Sequence, residues 1–297
     1  MKKDYIKDYE KKEYFSQNRE DLIINAFFPE VKNGYYIDVG GFDPDYDSVT
    51  KYFYKRGWRG VNIEPQPRRY QAFVRRRTRD INVQAGVSDK RGEATLRIYR
   101  SGGLSTLSKK LQADYRSHPT DDVEQYDDVT VKVRTLSDIL DEVNPPETIH
   151  FMKIDVEGLE YKVLAGNNWQ KYRPIVICIE ANHVEKDWRP ILEKEGYVKV
   201  FFDGLNDYYC LENSHEHRVF DYVEYVVNQK GGGIHQFDLS KIREMESIIE
   251  GYAKQYKLDV AKVKRLEVQN RQKQDILNNP RAMIWRGVKS LIGRPLK

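Results

Sequence analysis

Cysteine is scarce in this chain: only Cys178 and Cys210 occur in 297 residues, both inside apolar strand-like runs. Two such thiols fit a reducing compartment better than a disulfide framework. Long hydrophobic runs are missing too. No stretch approaches the roughly 18 apolar residues of a membrane span, and the start, Met1-Lys-Lys-Asp-Tyr5, has no apolar signal core. The expectation is a cytoplasmic protein whose membrane contact, if it has any, is peripheral, on the inner face of the plasma membrane. Charge of one sign is also lacking. The net charge is +4, and Asp121, Asp122, Glu124, Asp127 and Asp128 interrupt any basic track, so no nucleic-acid partner is expected. The dinucleotide pattern G-x-G-x-x-G is absent, which counts against an NAD-dependent sugar oxidoreductase.

What is present is a core-forming apolar fraction of 39% set in a polar chain, with 32% charged residues and a mean hydropathy of −0.76. That mixture predicts a globular unit joined to a segment that buries little. Residues 1–33 are polar and helix-like, with Leu22, Ile23, Ala26 and Phe27 on one apolar face. From 34 to 237 short apolar runs alternate with helical stretches: Tyr35–Val39, Gly60–Glu64, Ile81–Val87, Ile149–Asp155 and Pro174–Glu180. Alternation of this kind predicts βαβ units and an α/β fold with a parallel sheet covered on both faces. Val198–Phe202 and Tyr208–Leu211 then read as an antiparallel hairpin at the sheet edge. Residues 94–133 break the rhythm as an insertion expected to lie over the strand ends. Further on, Ile242, Met245, Ile249, Tyr252, Tyr256, Val263, Leu266 and Leu277 fall on three- and four-residue steps. They predict a helix over 238–279, either a coiled coil that joins copies of the chain through 242–277 or a single helix docked on the core. The tail 280–297 is a basic amphipathic segment around Trp285, suited through 281–297 to a membrane surface or to a partner groove.

Ligands of doubly wound sheets sit beyond the carboxyl ends of the strands, and acids recur there. Tyr36-Ile-Asp38-Val-Gly40-Gly41 ends a strand in a turn that lets backbone approach a ligand closely; the same turn can be a plain strand-to-helix connection. Glu64 closes the next strand, where a carboxylate can grip two ribose hydroxyls. Ala85-Gly-Val-Ser88-Asp89 ends the third, where backbone and small polar groups meet an adenine ring. Asp155-Val-Glu157-Gly158 follows the fourth: its acids could hold a divalent metal, orient a hydroxyl or act as general base, with Asp155 the metal candidate. Glu157 could instead cap the next helix. Glu180 and His183 close the fifth run, and His183 is a candidate base or an exposed loop histidine.

Together, Ser16-Gln17-Asn-Arg-Glu20-Asp21-Leu22, Tyr36-Ile-Asp38-Val-Gly40-Gly41, Gly57-Trp-Arg-Gly-Val-Asn-Ile-Glu64-Pro65, Gly86-Val-Ser88-Asp89, Thr135-Leu-Ser-Asp138 and Lys153-Ile-Asp155-Val-Glu157-Gly158-Leu-Glu160 resemble the FkbM family of methyltransferases over roughly residues 15–185. The resemblance implies a Rossmann-like class I methyltransferase fold, with a mostly parallel seven-stranded sheet and an antiparallel edge hairpin. It implies S-adenosylmethionine as donor and O-methylation, often of sugar hydroxyls in polysaccharides, glycolipids or natural products. On it, Asp38 and Gly40 border the methionine part of the donor, Glu64 holds the ribose, Ser88 and Asp89 border the adenine, and Asp155 faces the transfer region. Family members commonly continue the glycine turn with a histidine. Here Gly41-Phe42-Asp43-Pro44 follows, which moves the candidate for that position to Asp43.

The function expected is thus O-methylation of a sugar-containing acceptor, with Asp155, Glu157 or His183 as base or a metal assisting. Tyr99, Tyr115 and Tyr126 of the insertion could stack on sugar rings. The non-enzymatic alternative is a methyltransferase-like scaffold in a membrane-associated glycan-assembly complex.

Overall fold

The protein is described by a computed structural model at residues 14–28, 31–100 and 103–214. The chain divides into two units, Met1–Glu250 and Gly251–Lys297, and all described residues belong to the first. The sequence expectations for 238–279 and 280–297 lie outside the described residues.

Seven strands form one sheet in the order β3-β2-β1-β7-β8-β10-β9, where β1 is Tyr35–Val39, β2 Arg59–Ile63, β3 Ile81–Val83, β7 Phe151–Ile154, β8 Val176–Glu180, β9 Tyr197–Phe202 and β10 Asn206–Leu211. The first five run parallel, and β10 pairs antiparallel with both β8 and β9. The expected Rossmann-like sheet with an antiparallel edge hairpin is therefore observed. Helices α2 (Val49–Lys55), α3 (Pro67–Arg76), α5 (Leu136–Val143), α6 (Glu160–Ala165) and α7 (Arg189–Lys194) alternate with these strands. Burial on both faces explains the composition of the central strands. Every residue of β7 and β8 is buried, and Ile37, Val39, Val61, Ile63, Met152, Ile154, Ile177 and Ile179 join one core with Leu136, Leu140, Val163 and Leu164 of the covering helices. Cys178 and Cys210 are buried free thiols in β8 and β10.

Many polar groups inside this sheet are matched, but Asp38 Oδ1, Asn62 Oδ1 and Glu180 Oε2 are buried without a hydrogen-bond partner. Asp80 accepts from Tyr36 Oη (2.6 Å), Gly60 N (3.0 Å) and Asn62 Nδ2 (3.0 Å), tying together the starts of β1, β2 and β3. The buried Arg77 guanidinium donates to Pro44 O and Ser48 Oγ, which holds the loop after β1. The segment before the sheet is anchored by the same means. Asp21, in α1 (Glu20–Phe27), accepts from Ser16 Oγ at 2.6 Å, and Glu20 accepts from Asn206 Nδ2 at 3.0 Å across the sheet edge.

Two expectations are refined. Ile81–Val87 reads in sequence as one strand, but β3 stops at Val83. The next two residues that pair, Gly86–Val87 (β4), join a separate three-stranded sheet with β6 (Tyr126–Arg134) and β5 (Gly92–Tyr99). Gly86 makes this departure possible, since a Cβ there would crowd the Leu107 side chain and the β6 backbone nearby. The insertion, expected as strands around a polar stretch, also contains a helix, α4 (Lys109–Ser117), started by Ser108 Oγ accepting from Leu111 N at 3.0 Å. Among the described residues no helix is long and apolar enough to cross a membrane.

Candidate functional site

The sheet order reverses direction between β1 and β7, and a cleft of about 920 Å³ opens at the carboxyl ends of the strands around that point. Its wall runs from Gly40 and Phe42 after β1, through Glu64 after β2 and Ala85–Val87, to Asp155 and Glu157 after β7 and His183 after β8. Leu104, Ser105 and Leu107 of the insertion and Ser16, Arg19 and Glu20 of the amino-terminal segment complete the lining.

Gly40 makes the tight turn the sequence predicts. Its φ is +81°, its N–H donates to Ile63 O at 2.9 Å, and a Cβ would overlap the Asp155 carbonyl oxygen. The adjoining Asp38 is not part of the wall. It lies one residue deeper in β1 with its side chain turned under the turn, where it accepts from Thr50 Oγ1 at 3.0 Å and faces Lys153 Nζ at 3.9 Å. Asp38 therefore supports the loop, and its burial raises the carboxyl above its ordinary range, opposed by Lys153. Phe42, in the left-handed region at φ +55°, occupies the wall beneath the Arg69 guanidinium. Asp43 is turned away and taken up by Asp45 N, Tyr46 N and Arg69 Nη1.

Glu64 is placed as expected. It is 7% exposed, and its two oxygens accept from Phe42 N (2.9 Å) and Gln66 N (2.8 Å), which aims the carboxylate across the cleft. Burial pushes its carboxyl up to about 7 against those two hydrogen bonds. Ser88 and Asp89 are not brought together with the others. The chain leaves the main sheet at β4, so Ser88 N donates to Arg134 O, Ser88 Oγ donates to the exposed Asp89, and the wall is made by Ala85, Gly86 and Val87 instead.

The far end of the cleft is acidic. Asp155, Glu157 and Glu180 present carboxylate oxygens that all lie within 4.8 Å of one another. The turn that gathers them has Glu157 at φ +53° and Gly158 at φ +96°, braced by Glu160 accepting from Val156 N and Gly158 N at 3.2 Å each. The start of α6 carries no side-chain cap, so Glu157 does not cap it, and Glu160 braces the preceding turn. Glu157 points into the cleft, and Thr106 Oγ1 from the insertion holds its carbonyl at 2.7 Å. Burial raises the Glu157 and Glu180 carboxyls well above the ordinary range, and the Asp155 charge raises them further. Lys153 Nζ reaches Gly40 O at 2.8 Å and Asp155 Oδ2 at 3.1 Å; burial opposes its charge, but Asp155 and Asp38 outweigh that and hold the ammonium above its usual range.

His183 is in the site. Its Nε2 stands 3.6 Å from Glu157 Oε2 and 3.4 Å from Tyr115 Oη, and burial lowers the imidazole below its ordinary value while Asp155 opposes the shift. Tyr99 packs edge-on against both Tyr115 and Tyr126, and Tyr115 also meets the His183 ring edge-on. Lys153 and the stretch around Ser16–Glu20, which the sequence offered only as motif residues, also line the cleft, as does Glu180, which it offered only as a strand-end acid.

The model of the methyltransferase FkbM domain matches residues 38–199. Among solved structures, the chain is similar to a methyltransferase FkbM from Methylobacillus flagellatus KT, at 17% identity and a TM-score of 0.43, over 66% of this chain and 48% of that one. The chain thus spans about half of that protein. A second similar structure is Sp1610 from Streptococcus pneumoniae, a candidate tRNA (m1A22) methyltransferase, at 12% identity and a TM-score of 0.35 over 79% of this chain and 96% of that one. No curated protein matches the chain in sequence.

Proposed function

The chain belongs to the FkbM methyltransferase domain family, and we propose that it transfers the methyl group of S-adenosylmethionine to a hydroxyl oxygen of a sugar-containing acceptor in a surface polysaccharide, glycolipid or glycosylated metabolite. One observation carries this reading. A single cleft has a glycine turn and a buried carboxylate suited to an adenosyl donor at one end, and an acid-and-imidazole cluster suited to a hydroxyl at the other.

The residues fit the donor. Gly40 makes the turn that packs the end of β1 against Asp155 at the cleft, and Glu64 keeps acceptor capacity on both oxygens for two ribose hydroxyls. Ala85, Gly86 and Val87 offer a flat apolar edge to an adenine ring. When bound, the donor supplies an electrophilic methyl on a sulfonium that leaves as a neutral thioether. The chain's own work is then alignment and proton removal. His183 Nε2 accepts the hydroxyl proton as the oxygen forms its new bond to carbon, once the acceptor takes the place beside Nε2 that Tyr115 Oη holds in this structure. Leu104 and Leu107 help keep water from the transfer region.

Calorimetry with S-adenosylmethionine and with its demethylated product tests the donor. Mass spectrometry of host surface glycans with and without the gene tests the acceptor, and one sugar losing the mass of a single methyl substitution is the expected result. Donor binding without any change in glycan mass would favour the scaffold alternative. No donor binding at all would overturn the proposal.

A further inference from the structure

The carboxylates after β7 and β8 form a constellation that the donor reading does not use. Asp155, Glu157 and Glu180 converge from two neighbouring strands, and Glu157 and Glu180 are each only 8% exposed. Both carry an oxygen, Oε2, that is buried without a hydrogen-bond partner. Glu157 Oε2 stands 3.6 Å from His183 Nε2, beyond hydrogen-bond reach. Buried polar atoms are nearly always matched, so two unmatched carboxylate oxygens in one acidic cluster call for a ligand that accepts electron pairs.

We propose that Asp155, Glu157 and Glu180 bind one divalent cation, and that its open coordination positions hold the acceptor's hydroxyl groups. An all-carboxylate set selects a hard ion, Mg²⁺, Mn²⁺ or Ca²⁺, over zinc or copper, which favour nitrogen and sulfur. The spacing agrees. Ligands on opposite sides of Ca²⁺ lie about 4.6–5.2 Å apart and those of Mg²⁺ about 4.2 Å, against a spread here of no more than 4.8 Å. Charge agrees as well: Lys153 pairs with Asp155 and faces Asp38, which leaves the three clustered carboxylates with an excess of negative charge that a divalent ion offsets. Asp155 is the ligand most open to solvent, its side chain 36% exposed, which leaves that side of the ion for an incoming diol. A cation there would position a hydroxyl beside His183 and acidify it. The site rests on the geometry alone; the role given to it rests on the methyl-transfer reading.

Full-length protein stripped with a chelator is titrated with Mn²⁺ while the spectrum of the free ion is followed by electron paramagnetic resonance. Saturable uptake of a single Mn²⁺ per chain, displaced by Mg²⁺ or Ca²⁺, is expected. Glu180→Gln and Glu157→Gln, both isosteric, should each weaken uptake by about tenfold or more. Neither should lower the melting temperature of the stripped protein, because each removes like-charge repulsion. An unchanged Mn²⁺ spectrum with the wild-type chain, or uptake indifferent to both substitutions, would overturn the site. Calorimetry of S-adenosylmethionine on the same stripped protein separates the two readings. Donor binding without Mn²⁺ uptake removes the cation site alone, whereas Mn²⁺ uptake without donor binding leaves the cation site standing and removes the proposed reaction.

Discussion

Gly40 concentrates two constraints on one residue. Its backbone lies in the left-handed region, and the space a Cβ would need is filled by the Asp155 carbonyl. Gly40→Ala should therefore destabilise the fold by at least about 2 kcal/mol in urea denaturation, the cost of a strained backbone plus displaced β7 backbone. Donor binding should fall with it. His183 carries a different kind of demand. If its imidazole takes the acceptor proton, His183→Gln should lower kcat by about a hundredfold or more while leaving donor affinity unchanged by calorimetry, and an unchanged kcat would assign the proton to another group. The sequence made these two residues legible for different reasons: a glycine just beyond a parallel strand marks a turn that other residues strain to make, and a polar residue there lies where ligands of such sheets bind. It could not tell Asp38 from Gly40, because positions two apart share a strand face, and only the packing of Thr50 and Lys153 around Asp38 turns its carboxylate under the loop instead of into the cleft. Lys153 escaped for the converse reason. A lysine within an apolar strand reads as a solvent-facing position, whereas β7 is covered throughout and the ammonium is held by Gly40 O and Asp155. Glu180 was visible as a strand-end acid, but its partnership with Asp155 and Glu157 depends on β8 lying beside β7.

The elements differ in how much they owe to local sequence. α5 is announced by Thr135-Leu-Ser-Asp138, and the structure contains the full reciprocal box: Thr135 Oγ1 accepts from Asp138 N at 3.1 Å and Asp138 accepts from Thr135 N at 3.4 Å. Thr135→Ala should cost about 1 kcal/mol in urea denaturation. The loss should be largely independent of salt, since the hydroxyl bond is neutral; a strongly salt-dependent loss would shift the credit to the exposed Arg91–Asp138 pair. β1, β2, β7 and β8 were legible because short, mostly apolar runs bounded by turns stand out in a chain this polar, even though Asp38, Asn62 and Lys153 interrupt three of them. The β3–β4 region was not. Ile81–Val87 has one continuous strand-like texture, and only the presence of β6, supplied by an insertion more than forty residues later, draws Gly86 and Val87 into a second sheet. Where α1 docks was equally hidden. A short amphipathic helix declares a buried face but not its partner, and here hydrogen bonds between Glu20 and Asn206, and between Asn18 and Asp203, supply the address.

At the scale of the whole molecule, the described domain buries an unusual amount of acid near its site, and this sets how stability responds to pH. Burial pushes Glu20 and Glu64 up to about 7 and Asp21 up to about 6, each from an ordinary value near 4. Between those limits the folded chain holds protons that the unfolded chain has released, so stability falls as pH rises from about 4 to 7 and the contribution is fully lost above 7. His150, lowered by burial, works in the opposite sense over the range just below 6.5. The ion-paired carboxyls of Asp128, Asp141 and Asp187 are held below their usual range, so they titrate beneath this window and do not counter the trend within it. Three upward shifts of two units or more outweigh the two histidines that burial lowers, His150 and His183. The metal-free, ligand-free protein should therefore melt several degrees higher at pH 5 than at pH 8 by scanning calorimetry. Saturating donor should lift the melting temperature more at pH 8 than at pH 5, because an ionised Glu64 is the form that accepts two ribose hydroxyls. Equal stabilisation at both pH values would separate Glu64 from donor binding, even if the ligand-free trend held.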